Sequence, residues 1–211
     1  ITNGSLLRLP EVRRDLLAAD ALMPSLDAAS ERLYRKINRP HHSLTLENLL
    51  GGLRDFRAEY SGQLWLEVML IKGLNDGVND LQALSAALES IGADEIHLLL
   101  PTRPPAEPWV EPPDEAALQR AQFILGKRAR LIAESGGTFD LSAEGSVTEA
   151  LLSILTRHPM RESDLLTTLE KWLPGQAAQT LETLSAAGRV QVVTRRGQRF
   201  WSVAQAKYLA A

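Results

Sequence analysis

A chain of 211 residues with 45% hydrophobic and 23% charged side chains has enough length for one large domain, or a medium domain with a small one, around a substantial core. It contains no cysteine, which excludes disulfides, a thiolate nucleophile and a set of iron–sulfur ligands drawn from this chain. The net charge of −3 selects no partner for the whole chain, yet from Ser146 onward eight Lys/Arg stand against five Asp/Glu, so the C-terminal part is the basic one.

The chain opens on Ile1-Thr2-Asn3-Gly4, which reads as the end of a strand with no lead-in. With Ile in place of Met at the start, it is expected to be a piece cut from a longer protein. A helix with a proline near its start is predicted from Pro10 to Ala19. A short strand over Ala21 to Asp27 then ends in Ser25 and Asp27, which period 2 puts on one face with Met23. Pro24 is awkward for a central strand. Helices follow from about Ser30 to Ile37 and from about Leu44 to Tyr60, the second begun by Ser43 or Thr45 as N-cap. Between them, His41-His42 has no third metal ligand nearby and reads as loop.

The run from Leu64 to Ile71 is apolar apart from Glu67, the pattern of a strand covered on both faces by helices. Leu64, Leu66, Val68 and Leu70 share one face, and Trp65, Glu67, Met69 and Ile71 share the other. A carboxylate on such a strand is costly unless paired, so Glu67 points to a polar interior such as a barrel lumen. Lys72-Gly73-Leu74-Asn75-Asp76 then turns out of the sheet. An amphipathic helix from Asp80 to Ile91, capped by Asn79 or Asp80, is ended by Gly92.

Glu95 to Leu100 reads as another strand. It is closed by a proline-rich loop that runs to Pro113 and carries Arg103 and Trp109, too long for a plain connector. Trp109 is either a lid over substrate or an anchor that packs the loop on the barrel. A helix from about Asp114 to Ala133 completes the unit. Strands alternating with helices, without hairpins, predict parallel strands joined by right-handed crossovers. The expected fold class is α/β over residues 1–134, with a linker at 135–146.

Beyond the linker, residues 147–211 read as three short helices (Val147 to Thr156, Arg161 to Trp172, Gln176 to Ala187) and a β-hairpin turning at Thr194-Arg195-Arg196-Gly197. That order predicts a winged helix-turn-helix. Nucleic-acid binding by such a domain calls for a basic recognition helix, but Gln176 to Ala187 holds no Lys or Arg. Arg195, Arg196 and Arg199 in the hairpin are the candidates for RNA contact, and docking of a protein partner is an equal alternative. No apolar run spans a bilayer and no signal segment is recognisable, so a cytoplasmic chain without membrane contact is expected.

Thr2-Asn3-Gly4-Ser5, Ser25-Leu26-Asp27-Ala28, Leu70-Ile71-Lys72-Gly73-Leu74-Asn75 and the Leu98-to-Pro105 turn resemble the second half of a radical S-adenosylmethionine (radical SAM) domain, nearest to the subgroup that includes the wyosine-base synthases acting on tRNA. The resemblance covers about Ile1 to Leu131. It implies a partial (β/α) barrel holding the third to sixth strands of the family fold. It also implies use of S-adenosylmethionine and a [4Fe–4S] cluster by the longer parent protein. The family's CxxxCxxC and its Gly-rich methionine-binding segment lie outside this chain, which alone is expected to be inactive and to retain neither group.

The resemblance further places Ser25 and Asp27 at the ribose of S-adenosylmethionine, Asn3 near the ribose or the methionine, and Met69 and Ile71 against adenine. The alternative for Ser25 and Asp27 is capping of the next helix. Glu67, Lys72, His97 and Arg103 are candidates for the lumen or substrate, Glu67 and His97 forming either a structural pair or a catalytic one. TRNA-modifying members carry Glu-x-Lys on the last strand, where this chain has His97 and Leu99. The substrate class is then a macromolecule (protein, peptide or RNA) that the winged helix helps to bind. The competing class is a non-catalytic winged-helix regulator whose α/β part binds a ligand. An outer strand edge at Ile1 is expected either to pair with a second copy, as an artefact of the cut, or to be shielded by another segment; the competing expectation is an α/β part complete as it stands, with Ile1 a frayed terminus.

Overall fold

A computed structural model of the chain describes residues 1–132, 140, 141 and 146–206. It divides into two units: Ile1–Pro101 with Glu111–Ala133, and Thr102–Val110 with Glu134–Ala211. The linker expected over residues 135–146 falls mostly outside the described residues. Of it, Leu141 is buried in the core of the second unit. Among the described residues no helix is long and apolar enough to cross a membrane.

The first unit is built on a four-stranded parallel sheet in sequential order: β1 (Ala21–Leu22), β2 (Gln63–Met69), β3 (Glu95–Leu99) and β4 (Ala129–Leu131). Thr2 pairs in parallel with Pro24 outside β1, so the sheet runs in chain order from the Ile1 end. The sheet is flanked by α1 (Pro10–Leu16), α2 (Glu31–Ile37), α3 (Leu46–Glu59), α4 (Val78–Ile91) and α5 (Glu115–Leu125).

The β2 pattern is as its sequence demands. Leu64, Leu66, Val68 and Leu70 are wholly buried in the core with α3 and α4, while Trp65, Glu67 and Met69 on the other face are half-buried. Full burial of such a side chain contributes about 1.5–3 kcal/mol relative to exposure, so this one face fixes the register of the strand.

Several boundaries differ from expectation. The Ala21 to Asp27 strand is continuous only over Ala21–Leu22 and resumes as the single bridges of Pro24 with Thr2 and Ser25 with Glu67, because proline brings no N–H to the ladder. Ser30 and not Ser25 or Asp27 caps α2, accepting from Leu33 N at 3.4 Å. Thr45 caps α3 in a reciprocal capping box with Asn48, and α4 begins at Gly77 without a side-chain cap. The helix expected from Asp114 to Ala133 stops at Leu125. Gly126, at φ 77°, breaks it, and the chain returns as β4.

The second unit contains α6 (Val147–Arg157), β5 (Met160–Arg161), α7 (Glu162–Trp172), α8 (Ala177–Ala186), β6 (Val190–Arg195) and β7 (Gln198–Val203), its antiparallel sheet ordered β5-β7-β6. The hairpin turn is Arg196-Gly197, at φ 50° and 74°. Two consecutive positive φ values are the signature of a type I′ turn, whose twist matches that of its strands. The expected Thr194 and Arg195 belong to β6.

The candidate site at the strand ends

Where β2 leaves the sheet, two side chains hold the backbone. Asp27 Oδ1 accepts from Met69 N at 2.7 Å and Oδ2 from Asn38 Nδ2 at 2.6 Å. Asn75, 1% exposed, donates through Nδ2 to the carbonyls of Asp27 and Met69, both at 2.8 Å, and accepts from Ile71 N at 2.7 Å. One amide therefore satisfies three backbone groups that would otherwise be buried unpaired. Burial pushes the Asp27 carboxyl above the ordinary carboxylate range, against the opposing effect of the hydrogen bonds from Met69 and Asn38.

Across the open face of the sheet lies a polar row set by strand register. Ser25 pairs with Glu67, Glu67 lies opposite His97, and His97 lies opposite Arg130. In a parallel ladder, opposed residues share a face. Burial raises the Glu67 carboxyl, the neighbouring Asp27 charge raises it further, and His97 and a hydrogen bond with Ser25 act the other way. The expected Glu67–His97 pair is not a hydrogen bond. His97 Nε2 instead meets Glu95 Oε2 at 3.2 Å, two residues along its own strand, and Arg130 Nη2 reaches Glu95 Oε1 at 3.5 Å. The Trp65 ring stacks on His97 with centroids 5.5 Å apart and an interplanar angle of 24°, while its Nε1 is buried without a partner.

The remaining predicted residues divide. Asn3 is exposed, its Oδ1 accepting from Ser5 N at 3.0 Å. Met69 is half-buried on the Glu67 face. Ile71 lies past the end of β2, in the turn toward Asn75, and is 2% exposed. Lys72 is exposed, and its backbone N donates to Glu111 O at 2.8 Å. Arg103 and Trp109 belong to the second unit. Trp109 Nε1 donates to Glu107 Oε2 at 3.0 Å. Arg103 instead helps to lower the imidazolium affinity of His158 for its proton, an effect led by burial of that ring.

In the hairpin, Arg195 is not an exposed cation. It is 8% exposed and donates through Nη2 to Val110 O at 2.7 Å. Arg199 Nη2 lies 3.3 Å from Glu162 Oε1, which also accepts from Trp201 Nε1 at 3.1 Å. Arg196 is exposed on the turn.

In fold, the chain is similar to two solved structures. One is a domain of a pyruvate-formate lyase-activating enzyme from Bacteroides vulgatus (TM-score 0.50, 18% identity, covering 62% of this chain and 78% of that one). The other is a radical SAM methyltransferase from Sphaerobacter thermophilus (TM-score 0.51, 23% identity, covering 62% of this chain and 39% of that one).

The first unit has a partial radical SAM-type β/α fold.

In sequence, the chain is similar to a UPF0026 protein of Methanocaldococcus jannaschii, 32% identical over 176 residues, covering 81% of this chain and 54% of that protein. The chain spans about half the length of the UPF0026 relatives it matches. No family model matches it.

A [4Fe–4S] cluster is held by cysteine thiolates, and the 211 residues contain none. The residues of this chain do not fit the cluster. Among the described residues, no three His, Asp or Glu side chains gather as metal ligands.

Proposed function

We propose that this chain is the substrate-facing part of a radical SAM enzyme that modifies a macromolecule, with cluster ligands supplied from outside these 211 residues. The sequential strand order from Thr2 to β4, which brings Ser25, Glu67, His97 and Arg130 into one row, carries the reading. In family members, S-adenosylmethionine and its cluster supply a 5′-deoxyadenosyl radical.

In this reading, the Ser25 hydroxyl and the Asn3 amide meet the ribose end of S-adenosylmethionine, and the half-buried Met69 gives adenine an apolar surface. Asp27 acts by position: both its oxygens are taken by Met69 N and Asn38, so it holds the edge of the site and does not contact the ligand. Ile71, buried behind the turn, does the same. Glu67, its carboxyl held above the ordinary range by burial, faces substrate as a hydrogen-bonding group. His97 and Arg130 lie beside it in the same row, and Lys72 stands exposed at the strand end.

His97 and Leu99 stand where tRNA-modifying members carry Glu and Lys, which argues for a reaction other than wyosine formation. The three helices and β5-β7-β6 sheet of the second unit support a winged helix that helps hold the macromolecule. A cytoplasmic setting suits such oxygen-sensitive chemistry.

The deciding experiment uses the full-length protein, reconstituted anaerobically with iron and sulfide, reduced, and supplied with S-adenosylmethionine. Release of 5′-deoxyadenosine is the expected result, with S25A weakening S-adenosylmethionine binding and E67Q leaving that binding intact while lowering substrate turnover. A protein with a full cluster that releases none would end the proposal.

A further inference from the structure

In the second unit, α7, α8 and the β6–β7 hairpin enclose a groove of about 550 Å³. Leu166, Leu181, Val192 and Trp201 are its large apolar lining residues, and Glu162, Glu182 and Arg199 are its charged groups. Its size lies in the range of ligand sites. It is open to solvent and lies between two helices and a hairpin, a setting suited to an extended or helical segment laid into it.

Its electrostatics argue against nucleic acid. Phosphate contact requires free cations, but α8 contains no Lys or Arg and puts Glu182 on the groove. Arg195 is buried on the Val110 carbonyl, and Arg199 is already paired with Glu162. Two carboxylates against one guanidinium leave the groove net negative. Glu162 uses only Oε1 in its bonds to Arg199 and Trp201, so Oε2 remains to accept from an incoming cation.

We propose that this groove binds a peptide segment of a partner protein, with large apolar side chains seated on Trp201 and Leu166 and a Lys or Arg set between Glu162 and Glu182. Apolar anchors supply most of the affinity of such contacts, while the charge selects the partner and its register. The proposal stands independently of the chemistry of the first unit.

The test pans a phage-displayed library of random dodecapeptides on the 211-residue chain. Ala178 lies exposed at the groove, so A178W would plug it without touching the core. Enriched sequences are expected to pair Leu, Phe, Met or Trp with Lys or Arg. A synthetic peptide of the enriched sequence should bind about tenfold more weakly to A178W and about fivefold more weakly to E182Q, and single-stranded RNA should not displace it. Absence of enrichment, enrichment of acidic sequences, equal binding to A178W, or displacement by RNA would each overturn the assignment. Circular dichroism of A178W identical to that of the parent chain secures the comparison.

Discussion

Asn75 and Asp27, 48 residues apart in sequence, are joined by a 2.8 Å hydrogen bond from the Asn75 amide to the Asp27 carbonyl, while the Asp27 carboxylate and the Asn75 carbonyl oxygen each take a backbone N–H at the end of β2. The two residues form a latch that closes β2 against the segment following β1. Its strength comes from burial: Asn75 is 1% exposed, and its bonds to Ile71 N and to the Asp27 carbonyl are buried.

Removing the Asn75 amide should therefore cost more than an ordinary hydrogen bond. N75A strands Ile71 N and the carbonyls of Asp27 and Met69, and we expect a loss of about 3 kcal/mol in urea unfolding. N75D keeps the acceptor for Ile71 N but turns an acceptor toward two carbonyls, and should be at least as damaging at neutral pH. A loss below about 1 kcal/mol for both variants would show that the latch is not structural.

The Asp27 carboxyl, raised by burial, gives a signed pH dependence. Its folded state holds the proton more tightly than the unfolded chain, whose value is about 3.9. Its stabilising contribution is thus complete below that value and lost as pH rises through the folded one. In D27N the new amide oxygen still accepts from Met69 N, Asn38 can turn to face the other end, and the charge beside Glu67 is gone. The stability of the parent chain relative to D27N should fall as pH rises from 4 to 8, part of the change arising through Glu67. Parallel stability curves would refute the shift.

Adjacent glycines on α3 should respond oppositely. A Cβ on Gly52 would meet Arg8 N at 2.5 Å and the Leu7 carbonyl carbon at 2.7 Å, both backbone, whereas a Cβ on Gly51 meets nothing within 4 Å. G51A is expected to stabilise by about 0.5–1 kcal/mol through helix propensity. G52A should destabilise by about 2 kcal/mol or more, because backbone cannot step aside as a side chain can. Urea unfolding of the two variants side by side checks both signs.

Anaerobic iron and sulfide treatment of the 211-residue chain alone should leave no [4Fe–4S] absorption, since the thiolates that bind such a cluster are not among its residues. Stoichiometric iron and sulfide after desalting would overturn this.

The sequence determined what depends on local pattern. The period-2 run from Leu64 to Leu70 set the strand, its buried face and the outward position of Glu67, because alternation and burial are properties of neighbours. Gly92 ended α4 because its φ of 77° suits a residue without a side chain. The order of α and β elements was enough to imply sequential parallel strands. Only the tertiary structure decided what depends on partners distant in the chain. Asn75 looked like a turn residue until Asp27 and Met69 came beside it. Arg130 read as part of a helix because the apolar spacing before it continued across Gly126, yet register with His97 puts it in the polar row. Arg195 looked like a free cation on a hairpin, but the Val110 carbonyl, 85 residues away, buries it. Local pattern records which face of an element is apolar; the polar partner that a buried donor finds is chosen by packing, and no window of sequence contains it.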